Sequence, residues 1–399
     1  MKLSRRLFSA SLAAGIGSRL LEPLRAAAKA AKPVRITGID IFRIEIDTPK
    51  EEVAAGKLNI YDVAKVDTDA GVRGYSFVAP YQNLLPQIRQ TLVGKDLFAI
   101  EDHLKAGLID WGGVEHALWD AIGKIAGQPV YRLLGGGIPQ VRAYITCVWP
   151  GNVDQSHVPY RAQAEQALRL KNAGFRGMKI RAWRPNPTDD ADACGEIRAA
   201  VGPDFAIMFD RTAHRPGKVW DYSTALRVAQ AMEKHNAYWL EEPFDRDDFL
   251  SPARLAREVD IPITGGEGYR GMAPFQQCIA NNTYDILQPD GVVCGGLFTV
   301  RKIAAMGEGF GVRVIQHGRM GLLLAGFLQA SSAIKAHWQE IAIVTPPLLP
   351  QEQWSPALKI LNSDSVFTFR NGEIEVPQGP GLGLDINEEA VARYRQKTA

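Results

Sequence analysis

The sequence predicts an α/β protein: a barrel of alternating strands and helices over residues 138–344, with a separate α+β domain ahead of it. Three observations lead there. Strand-like apolar runs alternate with helical stretches seven or eight times through that span, which implies a parallel sheet closed on itself. Polar residues end the runs at quasi-regular intervals: Asp210, Glu241, Glu267, Asp290, His317 and Glu340 stand 23 to 31 residues apart, the length of one strand plus one helix. Residues 31–137 combine three strand patterns with helices and carry no such punctuation, as a domain of another kind would.

Composition sets the class. With 399 residues, 46% hydrophobic and 23% charged, the chain reads as globular with more than one domain, which excludes a disordered or fibrous protein. The net charge of +2, from 46 basic and 44 acidic residues, makes no electrostatic case for nucleic acid or a membrane surface. Small molecules are the expected partners. Cys147, Cys194, Cys278 and Cys294 are far apart and form no CxxC pair, so buried free thiols are expected rather than zinc or disulfides.

Residues 1–30 read as a twin-arginine export signal. Ser4-Arg5-Arg6-Leu7-Phe8 precedes a mildly apolar stretch to Gly17, and Ala26-Ala27-Ala28 follows. The apolar stretch is too short to span a membrane. A periplasmic or exported protein is expected, or a cytoplasmic one if this is an ordinary basic, frayed terminus.

In the α+β domain, Arg35–Phe42, Asp62–Asp67 and Gly71–Val78 alternate in the manner of strands. The helix that follows, Val114–Ala126, spaces Ala117, Leu118, Ile122 and Ile125 at helical intervals, and Gly127 with Pro129 ends it. Gly135-Gly136-Gly137 marks the domain boundary. The barrel strands then run Val141–Val148, Gly177–Arg181, Phe205–Asp210, Tyr238–Pro243, Ile263–Glu267, Ile286–Asp290 and Val312–His317, with helices such as Tyr160–Ala173 and Asp221–Lys234 between them. The closing segment, 345–399, with strand-like Ser365–Arg370 and Gly-Pro-rich Pro377–Leu384, is expected to return to the first domain.

In such barrels the functional groups gather at the C-terminal strand ends. Asp210, Glu241 and Glu267 end three successive strands and should share one mouth, where three carboxylates repel unless a cation neutralises them. Oxygen donors without His or Cys favour Mg²⁺. Glu241 and Glu242 point to opposite faces, so only one of them serves. The competing reading is that these acids pair with arginines at the rim.

The ordered set Gly177-Met-Lys179-Ile-Arg181, Phe209-Asp210, Trp239-Leu-Glu241-Glu242-Pro243, Gly266-Glu267, Gln288-Pro-Asp290, Gln316-His317 and His337-Trp-Gln-Glu340 resembles the enolase superfamily, in its mandelate racemase subgroup. Ala117-Leu-Trp-Asp120, Gly127-Gln-Pro-Val130 and Leu134-Gly-Gly136 resemble the family's helix into the barrel, so the likeness runs from about residue 33 to the C-terminus. It implies a modified (β/α)7β barrel of the TIM type and a capping domain whose loop around Asp47 to Ile60 closes over the substrate. By the same resemblance Asp210, Glu241 and Glu267 would hold Mg²⁺ at the carboxylate of a small-molecule substrate. His317, paired with Asp290, would be the general acid/base, and Glu340 a donor or orienter near that carboxylate. Many barrels of this family assemble through their helices, which leaves a homo-oligomer open.

Two departures matter. Where many members carry Lys-x-Lys, this chain has Lys179-Ile-Arg181. At about 1.36 kcal/mol per pKa unit, a neutral guanidinium costs roughly 3 kcal/mol more than a neutral lysine, so Arg181 suits substrate positioning and Lys179 an electrostatic clamp or proton donor. One good acid/base suits β-elimination better than racemisation, and dehydration of a sugar acid to a 2-keto-3-deoxy acid is the leading expectation. Epimerisation or cycloisomerisation of a carboxylate is the alternative, and a non-catalytic exported sugar-acid-binding protein is the alternative from another class. The second departure follows the first carboxylate, where Arg211-Thr212-Ala-His214 replaces the family's usual Asn. Trp183, Arg184 and His214 are candidates to line the pocket or to sit on the loop surface.

Overall fold

The structure is a computed structural model that describes residues 32–149, 157–213, 215, 217 and 219–396. The export signal and His214 lie outside the described residues.

The first domain is an antiparallel sheet of β1 (Ile36–Glu45), β2 (Ile60–Thr68) and β3 (Arg73–Ser76), with α1 (Lys50–Ala54) between its first two strands. Helices α2 (Leu85–Leu92), α3 (Ile100–Lys105), α4 (Gly112–Ala126) and α5 (Val130–Leu133) follow. The apolar spacing of α4 predicts one buried face, yet residues 112–123 are buried all round. The reason is its place between two layers. Gly74 of β3 sits so close that a Cβ there would lie 2.0 Å from Ala117 O, while a Cβ on Gly112 would lie 2.3 Å from Val292 O. A helix buried on every side has to satisfy its polar groups internally, and it does. The Asp120 carboxylate accepts from Tyr75 N and Leu382 N, both at 2.8 Å. Gly127 ends the helix at φ 63°, a left-handed turn open to glycine at little cost.

The barrel alternates β4 (Gln140–Cys147), α6 (Tyr160–Asn172), β5 (Gly177–Arg181), α7 (Asp189–Val201), β6 (Ala206–Asp210), α8 (Tyr222–Glu233), β7 (Trp239–Glu241) and α9 (Leu250–Glu258). It continues with β8 (Ile263–Gly265), α10 (Ala273–Asn281), β9 (Ile286–Leu287), α11 (Leu297–Gly309), β10 (Arg313–Val314), α12 (Leu324–Ala333) and β11 (Gln339–Val344). Neighbours from β4 to β10 pair in parallel and in order, β11 pairs with β4, and the bridge Arg319↔Ile341 closes the ring. Eight strands and seven intervening helices among the described residues make this a (β/α)7β barrel.

Strand periodicity splits the core in two. Ile145, Ile180, Ile207, Phe209, Leu240 and Leu287 face the helices in the large core. Tyr144, Met208, Trp239, Ile286, Ile315 and Trp338 form a separate cluster filling the barrel, with Tyr144 and Trp239 edge to face at 5.2 Å. Each buried side chain there adds hydrophobic stabilisation at about 25 cal/mol per Å² removed from water.

After β11 come α13 (Pro350–Trp354), β12 (Phe369–Arg370), β13 (Glu373–Glu375) and α14 (Glu388–Arg393). Ala357, Ile360 and Val391 pack on Phe42, Ile44 and Tyr61 of the first domain. The hairpin departs from the expected return. Its β13 pairs antiparallel with β4, Ile374 opposite Val141, so part of the tail extends the barrel sheet. The loop between β1 and β2 meets the barrel's exit end, where Leu58 N donates to Gln353 O at 2.9 Å.

The domain boundary is packed rather than flexible. A Cβ on Gly136 would lie 2.5 Å from Ala333 Cα, and Glu115 of α4 accepts from Leu297 N at 2.8 Å and Phe298 N at 3.0 Å, the first amides of α11. Trp119 Nε1 donates to the same carboxylate at 2.7 Å.

Candidate active site

The inward rows that fill the barrel end in polar residues at its mouth. Two residues after Tyr144 comes Thr146, after Met208 Asp210, after Trp239 Glu241, after Ile315 His317 and after Trp338 Glu340, while Ile286 is followed by Gln288 and then Asp290. Residues two apart on a strand share a face, so the apolar filling and the polar rim are one pattern. Register brings neighbours together: Arg181 stands opposite Asp210, Asp210 opposite Glu241, and Asp290 opposite His317. Glu267 lies two residues beyond the end of β8.

One side of the mouth is a closed network. Lys179, 1% exposed, places Nζ 2.8 Å from Glu241 Oε2 and 2.9 Å from Glu340 Oε1. Gln288 Nε2 donates to Glu241 Oε2 at 3.1 Å, Thr146 Oγ1 donates to Glu340, and Gly318 N donates to Glu340 Oε2 at 2.8 Å. Next to them Arg181 pairs with Asp210 and donates to Thr212, whose hydroxyl donates to Asp210 Oδ1 at 2.6 Å.

The other side holds the histidine, its side chain 21% exposed. His317 Nδ1 is 2.8 Å from Asp290 Oδ2 and Nε2 is 3.1 Å from Glu267 Oε2. Asp290 also pairs with Arg319 and accepts from Val292 N at 2.7 Å and Val293 N at 3.0 Å. Glu267 is shared with Arg246, which forks onto Glu242 at 2.9 Å. A Cβ on Gly268 would lie 2.2 Å from Arg246 Nη1, so glycine there lets the guanidinium through.

These contacts set the protonation states. Burial works against the Lys179 ammonium, but Glu241 and Glu340 outweigh it and hold its pKa well above the usual lysine range. Burial, opposed by Lys179 and reinforced by Asp210, Glu340 and Glu267, pushes Glu241 up to about 8. With Nζ bonded to both carboxylates, we assign Lys179 as charged. Burial also pushes Glu340 up, yet Lys179, His317 and the Thr146 hydroxyl bring it down to about 2. His317 loses to burial and gains more from Glu267, Glu340 and Asp290, ending at about 9. Asp290 stays below the usual carboxylate range because Arg319 and His317 overcome its burial.

The residues singled out in the sequence, Lys179, Arg181, Asp210, Glu241, Glu267, Asp290, His317 and Glu340, thus share one mouth. The acids do not form a cage: among the described residues no three His, Cys, Asp or Glu side chains are grouped as a metal site. Their repulsion is relieved by side-chain cations, Arg181 on Asp210, Lys179 on Glu241, and Arg246 with His317 on Glu267. Trp183 faces this region, with Arg181 5.2 Å from its ring centroid. Arg184 does not. It stacks on Tyr160 at 4.4 Å, donates to Val158 O and Gln163 Oε1, and ties a barrel loop to α6. Sequence reasoning missed Thr146, Gln288, Arg246 and Arg319. Gln288 and Arg319 were recoverable, each two residues from a residue already singled out; Thr146 lies on a strand from which no site residue had been read, and Arg246 carried no local signal beyond its i,i+4 spacing from Glu242.

Known proteins resemble this chain in sequence and in fold. The family model described as "Enolase C-terminal domain-like" matches residues 160–390. The chain is 31% identical to an arabinonate dehydratase of Saccharolobus solfataricus over 72% of each chain. It is 29% identical to a D-galactarolactone cycloisomerase of Agrobacterium fabrum, over 71% of this chain and 73% of the relative. Among solved structures, D-glucarate dehydratase from Agrobacterium tumefaciens, complexed with magnesium, superposes with a TM-score of 0.75 at 25% identity, covering 91% of this chain and 99% of that one.

Proposed function

We infer that this chain, which belongs to the enolase superfamily in its mandelate racemase subgroup, abstracts the α-proton of a carboxylate substrate and dehydrates a sugar acid to a 2-keto-3-deoxy acid. The observation that carries the reaction type is the asymmetry of the mouth. On one side stands a partly exposed imidazole, Nδ1 on Asp290 and Nε2 3.1 Å from Glu267; on the other, Lys179 and Arg181 are more deeply buried in ion pairs and, as stronger bases, are harder to free of a proton.

A single acid/base suffices for elimination. In its neutral form, whose share grows as pH rises toward about 9, His317 takes the proton from the α-carbon at Nε2, and the C–H electron pair moves into the substrate carboxylate as an enediolate. That pair then returns to form the Cα–Cβ double bond as the β C–O bond breaks. The leaving hydroxide picks up the proton from His317 and departs as water, and the enol product tautomerises to the 2-keto-3-deoxy acid. Asp290 holds Nδ1 as the donor, which leaves Nε2, on the Glu267 side, as the nitrogen that exchanges a proton. Lys179 and Arg181 place positive charge beside the enediolate, and Glu340 is held by Gly318 N and Thr146 as an orienting group.

The donor set also suits a hard divalent cation. Asp210, Glu241 and Glu267 offer carboxylate oxygens, and Glu241 Oε1 is buried with no hydrogen-bond partner. Mg²⁺ held by these three would supply positive charge at the substrate carboxylate.

A second reading, cycloisomerisation or epimerisation with Lys179 as the opposing group, is favoured by the cycloisomerase among the relatives. A screen of the protein with Mg²⁺ against aldonic and aldaric acids, scoring 2-keto acid formation and α-proton exchange in deuterated water, separates them. Keto acid supports dehydration, exchange or a new isomer without keto acid supports the second reading, and silence in both channels leaves a substrate outside the screen or a binding protein. Export through residues 1–30 is likewise a proposal, tested by fractionating cells that express the chain with and without them.

A further inference from the structure

The departure that follows Asp210 is not used by the chemistry above, and the geometry of its Thr212 is unusual. Thr212 lies at φ 48°, a left-handed conformation that β-branched residues rarely adopt. Two side-chain contacts hold it there, its hydroxyl donating to Asp210 and accepting from Arg181. The chain then turns back, with Arg215 N donating to Thr212 O at 3.2 Å. That turn carries Arg215 over Trp183, its guanidinium 5.3 Å from the ring centroid, while Arg181 sits 5.2 Å from the same ring. Strain kept at a functional mouth points to use of what the strain positions.

What it positions is a cation. Arg181, Arg246 and Arg319 each pair with an acid of the mouth. Arg215 is exposed, and among the described residues no carboxylate forms an ion pair with it. A substrate that sets its reacting carboxylate beside Lys179 and Arg181 has Trp183, two residues beyond Arg181, as its next wall, and Arg215 follows. A guanidinium fork at that station matches a second carboxylate far better than a terminal hydroxymethyl group.

We propose that Arg215 pairs with the distal carboxylate of the substrate, so that the substrate class is the aldarates, sugar diacids, rather than the aldonates. The proposal rests on the α-proton reading above. Its test uses pairs that differ only at the far carbon, galactarate with galactonate and glucarate with gluconate, on the full chain with Mg²⁺. The diacid of a pair is the better substrate, and Arg215→Gln raises its KM on the order of 10–100-fold, as loss of a charge-assisted contact does, with kcat little changed. The monoacid's KM moves within about twofold, and Arg215→Lys restores part of the loss. Equal effects on both acids, or a wild-type preference for monoacids, overturn the proposal. If neither acid turns over, the reaction reading has failed, and calorimetric binding of the same pairs decides for Arg215 alone: diacid binding weakened by Arg215→Gln upholds it, and binding that is absent or unchanged sinks it.

Discussion

Two histidines flank the same strand end and are driven in opposite directions. His317 meets Asp290 from inside the mouth; His116 of α4 meets the next residue from outside, Nε2 lying 2.9 Å from Gly291 O. His317 stands among Glu267, Glu340 and Asp290 and is raised to about 9. His116 is sealed against Phe327 and Gly326, and burial lowers it to about 4 despite the Gly291 carbonyl and the charge of Asp290. Two carboxylates meet one ring, Asp290 at Nδ1 and Glu267 at Nε2, and only a backbone oxygen meets the other. Residue type is therefore a weak guide to role; the number of acids facing the ring separates a reacting group from a packing group.

That contrast can be broken most sharply at His317. His317→Asn is expected to lower kcat about 10³–10⁴-fold for keto-acid formation, with α-proton exchange lost in parallel and the fold intact by circular dichroism. Retained exchange would move the base elsewhere. Lys179→Met tests whether the opposite side is mainly a charge network: it leaves Glu241 and Glu340 buried together without their cation and should cost about 3–5 kcal/mol in urea unfolding. A loss below about 1 kcal/mol would show that the acids there share a proton instead.

The third prediction concerns the packing histidine and pH. His116 is neutral when folded and titrates near 6.5 when unfolded, so the unfolded chain takes up the proton first as pH falls. Stability is fully present above about 6.5 and is lost down to about 4, by roughly 3 kcal/mol at 1.36 kcal/mol per unit. His116→Gln, able to keep a donor on Gly291 O, should flatten that acid slope without removing keto-acid formation, as urea midpoints at stepped pH would reveal. The smallest effect is expected at Arg181→Lys. A lysine can act as a second base, so slow exchange or epimer formation should appear beside dehydration, itself changed within about tenfold. No new exchange would mean that the ion pair with Asp210 silences either side chain.

The sequence made the barrel and its mouth readable because strand periodicity is short and strict. Met208 and Asp210, Trp239 and Glu241, Ile315 and His317 each declare an inward face over two positions, even where β10 has only two ladder residues. It was silent on which cation meets which acid. Arg246 reaches Glu267 across 21 residues because Gly268 leaves room, and nothing local to either residue announces that. The tail hairpin was misplaced for a related reason, since strands of two and three residues take their partner from the surrounding packing. Arg184 sits in the same run as Lys179 and Arg181, but it follows the strand's end, where alternation no longer fixes direction.

The Glu115 carboxylate has a bearing on heredity. It belongs to the first domain, yet it closes the opening turn of a barrel helix, beside a Gly296 whose added Cβ would fall 2.3 Å from it. A barrel produced alone from residue 138 would begin with that helix end unfinished. Exchange of caps between relatives would survive only where the incoming cap carries an acceptor to the same spot. The first domain is thereby tied to a barrel helix through this carboxylate as well as through its packing.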